Sequence, residues 1–299
     1  MISVKNVTKK YGDFTAVESI SFEVGDGSIY GLVGYNGAGK TTLLKTAAGV
    51  YRADAGQILF DGKETFESPE VRNRLFYVPD EIWFEPFSTI EKMAQFYAGY
   101  YPDFNFGTLD KLCEVLKLNK KDKLNSFSKG MQRQAEMILG MATTPKYLLL
   151  DESFDGLDPA KRNIMNSMIV DYVAEKNCSV IISSHNLHEI SDICDHVALI
   201  NGKQIALDCS VDDISADRCK FRLVFADEKT EDDFSGFDIK KFRSDGKILT
   251  VSLKGDADEN EEKLREMNPL LLEKFPLTLE EIFLEEMEGS DYDFKEIFA

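Results

Sequence analysis

The 299-residue sequence holds no apolar run approaching the roughly 18 residues that a membrane-spanning helix needs. Any membrane role would therefore be played from outside the lipid. Its first residues, "MISVKNVTKKYG", lack the basic head, apolar stretch and small-residue cleavage site of a secretory signal. Paired cysteines are missing too. The five present, at 113, 178, 194, 209 and 219, form no CxxC spacing, which excludes the common zinc and dithiol motifs and fits reduced thiols in a cytosol. Positive charge is scarce: 35 Lys and Arg stand against 53 Asp and Glu, a formal charge of −18. Such a chain repels polyanions, so nucleic acid is a poor partner, and the short basic runs at 120–123 and 240–243 read as solvated faces.

What is present is an ordinary globular balance. With 43% hydrophobic and 29% charged residues, the chain can bury a sizeable core and has the length for more than one domain. "ISVKNV" and "TAVESISFEV" alternate as half-buried strands do, and "SIYGLV" is continuously apolar, as a strand buried on both faces would be. From about 87 to 145 the period turns helical, through "STIEKMAQFYAGYY", "TLDKLCEVLKL" and "KGMQRQAEMILGMA". Strand and helix then alternate again: "KYLLLDE", "PAKRNIMNSMIVDYVAEKN", "SVIISSH", a helix over "NLHEISDICD", and a hairpin "HVALINGKQIALD" with its turn at Asn201-Gly202. Residues 211–299 change character. Strands "CKFRLVFAD" and "KILTVSLKG", a turn at Asp245-Gly246, helices "ENEEKLREM" and "TLEEIFLEEME", and an acidic run at 256–262 read as a small α/β accessory domain.

The chemistry begins at Gly34-Tyr35-Asn36-Gly37-Ala38-Gly39-Lys40-Thr41, followed by Thr42, which fits G-x-x-x-x-G-K-[ST] between a strand and a helix. Glycines let backbone N–H groups wrap phosphates, Lys40 reaches the β- and γ-phosphates, and the Thr41 hydroxyl ligates Mg²⁺. "YLLLDE" ends a strand in two carboxylates: Asp151 can reach that magnesium through water, and Glu152 can orient and deprotonate an attacking water. His185 ends another strand near the same sheet edge. At "NSFSKGMQRQ", Ser128-Lys129-Gly130 opens a helix whose free N–H groups make an anion site, although the chain's own phosphate loop lies elsewhere.

In order, Tyr11 before Gly12, "GYNGAGKTT", "YVPDE" (77–81), "FSKGM" (127–131), "YLLLDE", "SFDGLD" (153–158) and "SSH" (183–185) resemble the nucleotide-binding domain of ABC transporters over residues 1–210. The resemblance implies an α/β fold: a P-loop NTPase, RecA-like core with an antiparallel β-subdomain and an α-helical insert at about 87–145. It implies ATP and Mg²⁺ as cofactors, and two such domains, identical or paralogous, pairing head to tail. Each ATP would then lie between Gly34 to Thr42 of one subunit and Ser128, Lys129 and Gly130 of the other. By the same resemblance Tyr11 stacks on adenine, Glu152 is the general base, His185 contacts the γ-phosphate, Asp158 communicates between the two sites, and Asp80 contacts magnesium. Two positions depart from the family pattern. Lys129 and Met131 interrupt the usual Leu-Ser-Gly-Gly-Gln, and Asp80 replaces a Gln, exchanging an amide for a carboxylate that cannot donate a hydrogen bond.

A transporter of this kind needs separate permease chains, and "EIWFEPFSTIEKMAQFYAGYY", with Trp83, offers apolar material for docking one. The ending "FPLTLEEIFLEEME" resembles the ATPase subunits of bacterial drug, peptide and antibiotic exporters. The implied protein is a cytoplasmic ATP hydrolase, peripheral on the inner face of the membrane, that powers export. The alternative, a soluble ATPase acting on ribosome or DNA, usually shows tandem cassettes, a coiled-coil insert or zinc cysteines, none of which is present.

Overall fold

A computed structural model describes residues 1–66, 68–187, 191–211, 218–278, 281–283 and 285. The chain divides into two compact units, Met1–Asp208 and Cys209–Ala299.

The first unit opens with β1 (Ile2–Tyr11) and β2 (Phe14–Val24), then β3 (Ile29–Val33), α1 (Lys40–Ala47), β4 (Ala55–Phe60), β5 (Lys63–Glu64), α2 (Pro69–Arg72) and β6 (Leu75–Val78). Three helices follow, α3 (Ile90–Ala98), α4 (Phe106–Leu116) and α5 (Lys129–Ala142), and then β7 (Tyr147–Asp151), α6 (Pro159–Lys176), β8 (Ser179–Ser184), β9 (His196–Asn201) and β10 (Gln204–Ser210), whose last two residues are counted in the second unit. Among the described residues one sheet runs β2-β1-β4-β5, antiparallel, and a second runs β10-β9-β3-β8-β7-β6 with β9, β3, β8, β7 and β6 parallel. β3, β7 and β8 are buried along their whole length, which is why they read as unbroken apolar runs. The two sheets share a core with the inner face of α1, Leu43, Leu44 and Ala47. The helical segment keeps its own core, in which Ile90, Leu109, Leu124, Ile138 and Leu139 are fully or almost fully buried.

The parallel strands β3, β7 and β8 end at the same sheet edge, where Val33 pairs with Ser184 and Asp151 with Ser183. That is where an open α/β sheet binds its ligand, and the loop before α1, the Asp151-Glu152 pair and His185 all emerge there.

In the second unit β11 (Arg218–Val224), β12 (Asp238–Asp245), β13 (Ile248–Lys254) and β14 (Leu271–Pro276) form an antiparallel sheet, β12-β13-β11-β14, and with α7 (Ala257–Glu266), which lies between β13 and β14 in the chain, they share a core of Phe221, Leu223, Phe234, Val251, Leu253 and Leu264. The expected helix over 186–195 has residues 188–190, and that over 278–288 has residues 279–280, 284 and 286–288, outside the described residues.

Two expected turns shift by one residue. Asn201 ends β9 and the turn is Gly202-Lys203, both at positive φ (57° and 76°). Lys203 is drawn into it because its carbonyl accepts the Glu18 N–H at 2.9 Å and its ammonium sits 5.0 Å over the Phe14 ring. Likewise Asp245 closes β12, and Gly246, at φ 61°, starts the turn. The five cysteines are free thiols.

One buried acid gives a measurable pH dependence. Glu136 of α5 is 5% exposed, and its Oε1 accepts from the Tyr97 hydroxyl at 2.8 Å. Burial pushes its carboxyl up to about 7, against the smaller opposing effect of that bond. A folded value above the unfolded one means stability that is complete below about pH 4.5 and lost as pH rises through about 7. Glu136→Gln is expected to match the parent near pH 5 and to exceed it by about 2–3 kcal/mol near pH 8. Denaturant melts of both chains across that range would test this, and a gap independent of pH would refute it.

Candidate functional site

The loop from Gly34 to Gly39 turns the chain from buried β3 into α1. Gly39, the residue before the helix, has φ 107°. A Cβ there would lie 2.6 Å from the Ala16 carbonyl of β2, so only glycine fits. Gly34 is similarly close to β9, since a Cβ would lie 2.7 Å from the Ile200 carbonyl. The loop is thus held between the two sheets with its N–H groups at a helix start, a ready anion cradle.

Lys40, 5% exposed, folds back over this loop. Its ammonium donates to the carbonyls of Gly34 (2.5 Å) and Tyr35 (3.2 Å) and lies 3.1 Å from Glu152 Oε1. Asp151 is fully buried and takes three hydroxyl bonds: Thr41 Oγ1 (3.1 Å) and Ser183 Oγ (2.7 Å) on Oδ1, and the Tyr77 hydroxyl (2.9 Å) on Oδ2. Burial raises its carboxyl, and those three donors oppose the rise.

Glu152 stands at φ 46°, a left-handed conformation that costs a residue with a side chain on the order of 1–3 kcal/mol. Its N–H donates to Ser183 Oγ at 3.0 Å. Its Oε2 accepts from the His185 N–H (3.2 Å) and lies 2.9 Å from His185 Nδ1. Burial alone would raise this carboxyl, but the His185 bond and the Lys40 charge prevail and hold it below the usual glutamate value. It is therefore an ionised acceptor at neutral pH, as a proton-abstracting group must be. Asp155 lies 3.8 Å from His185 Nδ1 and is raised by burial.

Lys40, Thr41, Glu152 and Asp155 line a cavity of about 450 Å³ with Tyr11, the loop residues Tyr35, Asn36, Gly37 and Gly39, Thr42 and Asp80, whereas Asp151 and His185 reach it only through their contacts with Thr41 and Glu152. Tyr11 is 44% exposed, its ring edge-on to Tyr51 at 5.8 Å. Asp80 has its Oδ1 3.3 Å from Arg133 Nη2. The donor set of Thr41, Asp80 and Asp151 is all oxygen, which suits magnesium.

Four expected residues, Ser128, Lys129, Gly130 and Asp158, belong to neither this cavity's lining nor the bonds just described. Ser128 caps α5 by accepting the Met131 N–H at 3.3 Å, Lys129 is exposed, and Gly130 is buried. Asp158 caps α6 by accepting the Lys161 N–H at 3.0 Å, and that bond lowers its carboxyl. Conversely, Tyr77, Ser183, Asp155 and Arg133, which no motif spacing marks with a role, all touch the site. Ser183 had a signal: a hydroxyl inside an apolar strand must find a partner.

Comparison with known proteins follows the same lines. The protein-family profile described as "ABC transporter" matches residues 17–155. The chain is 28% identical to the ABC transporter ATP-binding protein YtrB of Bacillus subtilis (strain 168), over 97% of this chain and 99% of that one. It is 35% identical to the Nod factor export ATP-binding protein I of Burkholderia orbicola (strain AU 1054), over 69% of each. Its fold superposes on a dimeric, post-hydrolysis ATP-binding cassette bound to ADP and Pi with a TM-score of 0.63, at 18% identity, over 71% of this chain and 99% of that one.

Proposed function

This chain belongs to the ABC transporter family as an ATP-binding, ATPase subunit, and from that premise we propose that two such subunits close around two Mg·ATP and power export through a separate membrane permease. The observation that carries the reading is the single cavity onto which Tyr11, the phosphate loop, Asp80 and Glu152 open.

Tyr11 would face adenine, and the N–H groups from Asn36 to Thr42 would take the phosphates. Thr41 and Asp80, with Asp151 through water, would hold magnesium, which when bound neutralises charge on the β- and γ-phosphates. Glu152 takes a proton from water as its oxygen attacks the γ-phosphorus. The bond to the bridging oxygen breaks, ADP leaves with that oxygen, and phosphate is released. Lys40 and His185 stabilise the charge that develops on the transferring group.

Ser128, Lys129 and Gly130 form a helix start that is not part of the cavity's lining, which suits closure of a partner's site. The exposed Trp83, Phe87, Phe96 and Tyr100 offer a docking face for the permease. Among the described residues no helix is long and apolar enough to cross a membrane, so attachment to the inner face would run through that permease. Similarity to the Nod factor export subunit favours export.

Light scattering tests the pairing. Full-length Glu152→Gln chain is expected to double in mass on adding Mg·ATP, and Ser128→Arg added to it is expected to stay monomeric while still binding ATP. A chain that binds no ATP at all would sink the proposal.

A further inference from the structure

The strained backbone of Glu152 is held from both sides. On its amide side the N–H is fixed by Ser183. On its carbonyl side the holder is Arg133, whose Nη1 donates to the Glu152 carbonyl at 2.5 Å. The same guanidinium turns its Nη2 to the loop after β6, reaching the Asp80 carbonyl at 3.1 Å and Asp80 Oδ1 at 3.3 Å. Arg133 belongs to α5, the helix that Ser128 caps, and its side chain is only 11% exposed. Three structural parts thus meet on one planar fork: the peptide of the base, the loop carrying Asp80, and the helical segment. A guanidinium can satisfy two acceptors in a fixed relation, which an ammonium cannot.

We infer that Arg133 is a positioning residue that keeps the left-handed Glu152 peptide in place through its carbonyl, and that it makes the aim of Glu152 depend on the positions of the Asp80 loop and of α5. The inference deepens the reading of Glu152 as the base and rests on it. It also gives the carboxylate at Asp80 a use that an amide would serve less well: a charged partner that holds the fork's second arm. Nucleotide contacts along the loop and Tyr11 do not involve Arg133, so its loss falls on the chemical step and spares binding.

The test compares the full chain with Glu152→Gln, Arg133→Met, Arg133→Lys, Asp80→Asn and the double variant Arg133→Met/Asp80→Asn. Single-turnover hydrolysis is measured with enzyme in excess over labelled ATP, affinity with a fluorescent ATP analogue, and folding by thermal melting. Arg133→Met is expected to slow hydrolysis roughly 10- to 100-fold with affinity changed less than about twofold. Arg133→Lys recovers little of that rate. Measured at saturating Mg²⁺, so that the part of Asp80 in holding magnesium is not limiting, Asp80→Asn loses less than Arg133→Met, and the double variant is no slower than Arg133→Met, because both then act on the Glu152 peptide through one link. If Arg133→Met melts early, Arg133→Lys carries the comparison, with the same expected loss at a parental melting temperature.

A parental rate in a folded Arg133 variant, while Glu152→Gln is inactive, overturns the inference and leaves the base standing. So do losses that multiply in the double variant, or a loss confined to affinity. Parental hydrolysis by Glu152→Gln would instead remove the base itself.

Discussion

Glu152→Gln is expected to hydrolyse ATP about 1,000-fold more slowly than the parent chain, within the range for loss of a general base, while holding Mg·ATP at least as tightly. The geometry says why both halves belong together. Oε1 of Glu152 faces the Lys40 ammonium, and Oε2 faces the His185 N–H and Nδ1. An amide keeps the shape but has one acceptor oxygen, so it can serve Lys40 or the His185 N–H and not both. Without nucleotide the variant is therefore somewhat less stable than the parent. Once phosphate draws Lys40 away, the amide oxygen can turn to the His185 N–H and that penalty vanishes. The substitution thus favours the nucleotide-bound state while removing the lowered carboxylate beside the phosphate loop. Rapid-quench hydrolysis with a fluorescent-ATP titration checks this; hydrolysis within about tenfold of the parent would assign the base elsewhere.

Lys40→Met is expected to weaken Mg·ATP binding at least about 100-fold and to leave no measurable turnover. The ammonium is held by two loop carbonyls and by Glu152, beside the N–H groups proposed to take the phosphates. Methionine fills the volume but removes both the phosphate's counter-charge and a partner of a buried carboxylate. His185 still holds Glu152, so the expected loss of stability is modest, about 1–2 kcal/mol against the 3–5 kcal/mol typical of a fully orphaned buried charge. Calorimetric titration with ATP and a thermal melt separate the two effects. Retained affinity would mean that the backbone cradle alone carries the phosphates.

The parts of the fold most legible in the sequence are those where physics leaves few options. Buried parallel strands must be apolar on both faces, so β3, β7 and β8 stand out, and the amphipathic spacing of α3 to α5 marks the helical segment. The phosphate loop is legible because its glycines answer to steric demands set by Ala16 and Ile200. Strand β12 is not. A bulge between Ile239 and Lys241 puts its half-buried residues, Ile239 and Phe242, three apart, so the period-two signal disappears inside what reads as a solvated basic run. Strand β14 lacks the signal for another reason: its ladder with β11 is regular, so half-buried Leu272 and Phe275, three apart, fall on opposite faces and make no alternation. The two displaced turns show a third limit, because tertiary contacts such as the Glu18 bond to Lys203 decide which residue bends. Within the site, Lys40, Thr41, Asp151 and Glu152 carry motif spacing. Arg133 carries none, because its importance lies in joining segments remote in sequence.

The three hydroxyls around Asp151 make its carboxylate insensitive to the departure of any one of them. Were Thr41 to turn toward a cation, Ser183 and Tyr77 would still serve both oxygens, leaving no bare charge and asking little reorganisation of the surroundings. On the proposed function, Asp151 would pass between loaded and unloaded states with its environment already arranged, as a part reused in every stroke of an engine must.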